Sequence, residues 1–240
     1  MSAAASQAAS ASASAAAAAA ALPDDSPALR AAVIATARQM NAAGINVNKS
    51  GNVSARCLRG AHEGLVLTPT ALPYDTLAVD DLVFVRLADG HCTGQRAAST
   101  EWRFHRDLYV ARAEFAAIVH THSTAATALA CHGRGIPAFH YMVASAGGAD
   151  IRCAPYATFG TQALSDHAVA ALADRKACLL AHHGVIACEG TLARALALAI
   201  EVEHLAQMYL AARTLGEPPP LSAAEMALVL SRFERYGQAD

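Results

Sequence analysis

Ala116-Ala117-Ile118-Val119-His120-Thr121-His122-Ser123-Thr124 runs from an apolar, β-branched stretch into a histidine pair and then into hydroxyls that can start a helix. The pattern predicts a buried strand over 116–120 and a helix over 123–131. In extended backbone, side chains two apart share a face, so His120 and His122 can point together at one ion from a strand end. Taken alone, such a pair is as readily two hydrogen-bonded histidines of core or surface, and ligation needs a third partner.

That partner lies downstream, in Ala181-His182-His183-Gly184. An apolar strand over 177–182 turns at Gly184 into a second one over 185–188, a hairpin whose glycine lets backbone and ligand approach closely. Alternation puts His182 and His183 on opposite faces, so one serves the site and the other is structural, and the residues leave the choice open. Three nitrogens keep one position free for substrate, as expected of a catalytic metal rather than a closed structural one.

Upstream, Ala98-Ser99-Thr100-Glu101-Trp102-Arg103-Phe104-His105 predicts a helix running through 112, with hydroxyls before it and a carboxylate in its first turn. Helix capping accounts for Glu101. A second use fits equally: a helix N-terminus flanked by Ser99 and Thr100 can hold an anion while Glu101 faces a metal. Asn48-Lys49-Ser50-Gly51-Asn52-Val53-Ser54 is rich in small donors, and Leu67-Thr68-Pro69-Thr70-Ala71 ends a strand with further hydroxyls. Each alone is a simple turn; together they make three polar junctions able to converge on one phosphate.

Around these segments the chain alternates strands and helices. Ser26-Pro27 announces a helix to about residue 44. Strands follow over 52–56, 64–67 and 82–87, the last leading through an Asp89-Gly90 turn into a partner. Helices are predicted over 162–175, 191–215 and 222–236, with Pro218-Pro219-Pro220 as a break. There is no internal repeat and no linker inside 26–240. The expectation is one α/β domain over 26–240, with a central mixed, largely antiparallel sheet and helices on both faces. Residues 1–25, nearly all Ala and Ser at the start, are read as a disordered tail: they lack the basic start and Leu-rich middle of a secretory leader and offer no bulky face to bury.

Composition narrows the function. Eighteen basic residues against twenty acidic ones argue against nucleic acid. No stretch supplies the ~20 consecutive bulky apolar residues of a membrane span. Six cysteines without a C-x-x-C pair fit reduced thiols in a cytoplasm.

Gly51-Asn52-Val53-Ser54, Ser99 through His105, His120-Thr121-His122 and His182-His183-Gly184 occur in the order found in the class II aldolase/adducin family, which this chain resembles over about residues 28–238. His140-Tyr141-Met142, Ala146-Gly147-Gly148, the run from Cys153 to Gly160 and Tyr236-Gly237 extend the similarity. The resemblance implies one Zn²⁺ per subunit on His120, His122 and His183, which leaves His182 structural, with Glu101 at the metal until substrate displaces it. It implies phosphate contacts from Gly51, Asn52, Thr70, Ala71, Ser99 and Thr100. Phe159, Tyr141 and Tyr236 would shape the aldehyde end, Tyr141 as a proton donor reaching across a subunit boundary of a four-fold homotetramer with interfacial sites.

The implied activity is reversible cleavage of a ketose 1-phosphate, of the L-fuculose 1-phosphate type, into dihydroxyacetone phosphate and an aldehyde such as L-lactaldehyde. A divalent ion is the electron sink such a cleavage needs, Glu101 the group that shuttles the proton, and Tyr141 the phenol near the aldehyde oxygen. Two positions depart from the family: Ala71 replaces a glycine, and Asn48-Lys49-Ser50 replaces a more neutral loop. Three other activities share the fold. They are an aldolase for 5-deoxy- or 5-methylthio-pentulose 1-phosphate, a sibling epimerase or dehydratase, and a non-catalytic adducin-like module. An epimerase carries aspartate where this chain has Glu101, and an interaction module is expected to lose the metal ligands.

Overall fold

Ser26 and Pro27 start the first helix as their chemistry requires. The Ser26 hydroxyl accepts from the Leu29 amide at 3.3 Å, and proline fills a position whose N–H has no intrahelical partner. In the computed structural model, which describes residues 22–233, this helix, α1, covers Pro27–Ala42.

Contacts begin ahead of the boundary expected at residue 26. The Asp25 amide donates to Leu58 O, and the Leu58 amide donates to Pro23 O. The Asp25 carboxylate, almost wholly buried, pairs with Arg30 and Arg59. Pro23 and Asp25 thus meet partners distant in sequence, which composition does not reveal. Removing one member of such a buried pair costs about 3–5 kcal/mol.

Eight strands form one sheet: β1 (Asn52–Arg59), β2 (His62–Leu67), β3 (Val83–Arg86), β4 (Cys92–Thr93), β5 (Ala117–Thr121), β6 (Arg152–Ala154), β7 (Ala177–Leu180) and β8 (Gly184–Glu189). Their order is β4-β3-β2-β1-β5-β8-β7-β6, antiparallel throughout except for the β6–β7 pair. Strand β6 escaped the sequence reading because three residues with one buried side chain carry no readable period.

Period-2 alternation sends the sheet's side chains into two cores. Val53, Ala55, Ala117, Val119, Val185 and Ala187 join the first, with α1, α3 (Thr124–Ala130), α5 (Leu192–Arg213) and Met226 of α6 (Ala223–Phe233). Leu65, Leu67, Ile118, Ile186 and Cys188 join the second, with α2 (Trp102–Ala111) and α4 (Gln162–Ala171). Helices thus cover both faces, as expected. Among the described residues α5 alone has the length and apolar composition of a membrane span, and its Leu198, Val202 and Leu205 are buried in the first core.

Helix α4 stops at Ala171, short of the expected 175, and α6 is described only to Phe233.

Candidate active site

The register of the central strands brings the polar segments together. β1 and β5 pair so that Asn52 stands opposite His120, and β5 and β8 pair so that Thr121 stands opposite Val185, next to the Gly184 turn. A Cβ on Gly184 would lie 2.3 Å from Thr121 O and 3.0 Å from the His122 ring, so only glycine lets β8 pass this close.

His120, His122 and His183 form a trio with ring centroids 4.9 Å apart in every pair and planes nearly perpendicular. His120 is fully buried. Its Nδ1–H donates to Val185 O at 2.8 Å, which leaves Nε2 as the nitrogen turned to the site. That nitrogen faces His122 Nε2 at 3.0 Å. Burial, with His120 and His183 beside it, pushes His122 down to about 3, leaving the neutral imidazole a metal takes. The 3.0 Å between the two Nε2 atoms is close to the spacing of about 3.3 Å between ligands of a tetrahedral zinc site.

Glu101 closes the cluster. It immediately precedes α2 and makes no side-chain cap, so the capping role that its position suggests goes unused. Its Oε2 lies 3.2 Å from His120 Nε2 and its Oε1 lies 3.0 Å from His183 Nε2. The Oε1 contact is close but misaligned, and this buried oxygen has no hydrogen-bond partner. Burial pushes the carboxyl up; the imidazoles of His120 and His183 outweigh that and hold it below the usual carboxylate range. A buried carboxylate beside three converging imidazoles is a donor set that fits a divalent ion, and the three histidines alone could hold one.

The three hydroxyl-rich junctions also meet. Asn52 Nδ2 donates to Ser99 Oγ at 3.1 Å and to Glu101 Oε2 at 2.8 Å. The Thr70 amide donates to Ala97 O, and Lys49 Nζ donates to Ala71 O at 2.8 Å. Lys49 is thus tethered to the rim of this cradle. Ala71 has φ +62°, a left-handed conformation in which its Cβ is unfavourable. Gly51 is held by packing: a Cβ there would lie 2.3 Å from His120 O.

A cavity of about 290 Å³ opens over the cluster, lined among others by Ser50, Thr100, Glu101, His183 and Phe159. His182 lines it too, exposed and at φ +55°. The expected structural His182 is therefore a rim residue: β7 ends at Leu180, so strand alternation does not govern the turn that follows. Tyr141, half-exposed, lies elsewhere, in a larger apolar cavity with Phe139, Met142, Val229 and Phe233. Tyr236 falls outside the described residues.

Sequence reasoning missed a buried chain behind Asn52. His105 Nε2 meets Asn52 Oδ1, His105 Nδ1 meets Ser54 Oγ at 2.8 Å, and Ser54 Oγ meets Tyr109 OH at 2.9 Å. Its signal was present as the spacing of Glu101, His105 and Tyr109, each four residues from the next on one helix stripe.

The family profile described as Class II Aldolase and Adducin N-terminal domain matches residues 31–210. The chain is 50% identical to a 5-methylthioribulose-1-phosphate/5-deoxyribulose-1-phosphate aldolase of Rhodospirillum rubrum, covering 90% of this chain and 96% of the relative. It is 47% identical to an L-fuculose phosphate aldolase of Escherichia coli, over 87% and 95% of the two chains. A solved L-fuculose 1-phosphate aldolase superposes with a TM-score of 0.82 at 34% identity, covering 87% of this chain and 97% of that one. With the histidine trio and its carboxylate intact, the chain belongs to the class II aldolase and adducin family, among its lyases.

Proposed function

We propose that this protein is a zinc-dependent aldolase that reversibly cleaves a ketose 1-phosphate into dihydroxyacetone phosphate and an aldehyde. The observation that carries this reading is the orphaned Glu101 oxygen beside three converging imidazoles, contiguous through Asn52 with a hydroxyl-rich cradle. His120, His122 and His183 hold the ion, and nitrogen ligands of this number suit zinc. A bound divalent ion supplies the electron sink when the carbon–carbon bond breaks. Gly51, Asn52, Thr70, Ala71, Ser99 and Thr100 hold the phosphate, with the N-terminus of α2 behind them.

In the cleavage direction a base takes the proton from the C4 hydroxyl, the C3–C4 bond breaks as the C4 carbonyl forms, and C3 then gains a proton. Glu101 in its protonated form delivers that proton to C3 and Tyr141 as the phenolate takes the one from the C4 hydroxyl; the carboxylate and phenol that result exchange a proton through solvent to reset, and synthesis runs the same transfers in reverse. Within one chain Tyr141 is outside the metal cavity, which agrees with its acting from a neighbouring subunit of a homotetramer, where Phe159 and Tyr236 complete the aldehyde end. The six free cysteines fit a reducing cytoplasm.

The relatives act on L-fuculose phosphate or on 5-deoxy- and 5-methylthioribulose 1-phosphates, as their names state. These sugars share a far end without a hydroxyl, and exposed Tyr156 and Phe159 offer an apolar wall for it. L-Fuculose 1-phosphate is the first reading; the 5-deoxy and 5-methylthio pentuloses are the second, favoured by the 50% identical relative. The test pairs dihydroxyacetone phosphate with L-lactaldehyde, acetaldehyde and methylthioacetaldehyde, using metal-replete and chelated enzyme. The highest kcat/KM names the substrate, and the absence of chelator-sensitive bond formation with any aldehyde would sink the proposal.

A further inference from the structure

The hydrogen bonds behind Asn52 form one continuous run. Asn52 Nδ2 donates to Glu101 Oε2 at 2.8 Å and to Ser99 Oγ at 3.1 Å. The other end, Oδ1, therefore faces His105, and His105 Nε2 must be the donor. His105 is wholly buried, and burial pushes it down to about 3, so its ring is neutral and has one N–H. Its Nδ1 then accepts from Ser54 Oγ at 2.8 Å. Ser54 in turn accepts from Tyr109 OH at 2.9 Å, and the same phenol lies 3.2 Å from Ser54 O on β1. The run begins at the Tyr109 phenol and finishes on the Glu101 carboxylate.

A core histidine satisfied for its own sake would need only two partners. This one does more, because the atom it meets decides which way the Asn52 amide points. Flipped, Asn52 would set its carbonyl against the Glu101 carboxylate, and its donor to Ser99 Oγ would be lost. Stacking on Phe104, with ring centroids 4.7 Å apart, keeps the imidazole in one plane.

Building on the roles given to Asn52 and Glu101 above, we propose that His105 is a positioning residue: through the Ser54–His105 pair it holds the Asn52 amide with its N–H groups turned toward phosphate cradle and Glu101. Asn52 then turns N–H groups rather than a carbonyl to the cradle, one on Ser99 Oγ and one on Glu101 Oε2. His105 touches neither substrate nor metal, so its loss acts through Asn52.

The test compares His105→Phe, which keeps the ring and removes both nitrogens, with His105→Gln, whose amide N–H can replace the Nε2 donor. Three quantities are read: zinc per chain, the Kd of inorganic phosphate by calorimetry on the zinc-loaded protein, and kcat and KM for cleavage. His105→Phe is expected to keep one zinc per chain, to weaken phosphate about 10-fold, and to lower kcat/KM by 10-fold or more, about the loss typical of a supporting partner. His105→Gln is expected to recover phosphate affinity to within about 3-fold of wild type. A folded His105→Phe with wild-type phosphate affinity overturns the proposal, and so does a His105→Gln protein as impaired as His105→Phe, since only packing would then matter. Should His105→Phe fail to fold, Ser54→Ala, which removes the donor that fixes the ring's tautomer, must weaken phosphate in the same direction, and an unchanged Kd overturns the proposal. Wild type that neither binds phosphate nor cleaves substrate would break the reading beneath it as well; wild type that does both, with an unchanged His105→Phe, breaks this proposal alone.

Discussion

The two ends of the proposed substrate meet different kinds of structure. At the metal end His120 is 0% exposed, Asn52 3% and Glu101 5%, and every one is held by a strand register or a buried hydrogen bond. At the aldehyde end Phe159 is 63% exposed and Tyr141 49%, and Tyr141 lies in another cavity altogether. One chain brings the histidine trio together, and of the proposed aldehyde-end residues it places Phe159 on the rim of the same cavity and Tyr141 outside it. Under the proposed function the metal chemistry falls in the interior and discrimination among aldehydes falls to the surface.

The comparison can be broken most directly at its buried end. Glu101→Gln is expected to keep one zinc per chain and to lower kcat about 10³-fold, as loss of a positioned proton-transfer group does. Metal analysis alongside steady-state kinetics checks it, and near-normal turnover would remove the assigned role.

At the exposed end, Tyr141→Phe is expected to lower kcat by about 10²-fold with zinc retained. Mixing tests whether the phenol crosses between subunits. Co-assembled in equal amounts, Glu101→Gln and Tyr141→Phe chains should regain about a quarter of the wild-type rate, because a quarter of randomly formed sites would hold both intact groups. Activity no higher than that of the parents would confine Tyr141 to its own chain.

Smaller effects are expected where the cradle departs from the family. Lys49→Met removes the ammonium tethered to Ala71 O and should raise the KM for sugar phosphate about 3- to 10-fold, with a flatter dependence on salt. Kinetics at two ionic strengths decide it. Smallest of all, Ala71→Gly relieves a left-handed backbone and should stabilise the fold by up to about 1 kcal/mol, seen as a higher denaturant midpoint. An unchanged or lower midpoint would remove strain from the account of that turn.

Much of the fold was legible because its signals are local. Alternation along 116–120 and 185–188 marked β5 and β8, and a hydroxyl before proline marked the start of α1. β6 was not legible, since its three residues are defined by pairing with β7. Nor was the docking of Asp25, which depends on Arg59 across the sheet edge. His182 was misplaced because alternation was carried past Leu180, where the strand ends.

The sequence alone determined which side chains could hold a metal, which segments would be strands and helices, and, by resemblance, that His183 rather than His182 joins His120 and His122. Tertiary structure decided that Glu101 faces those imidazoles instead of capping its helix, that Ala71 sits at positive φ, and that His105 stands behind Asn52. The physical reason is one of range: side-chain period and capping are set by neighbours in the chain, whereas the meeting of Asn52, Glu101 and His120 depends on strand register and helix packing between segments far apart in it.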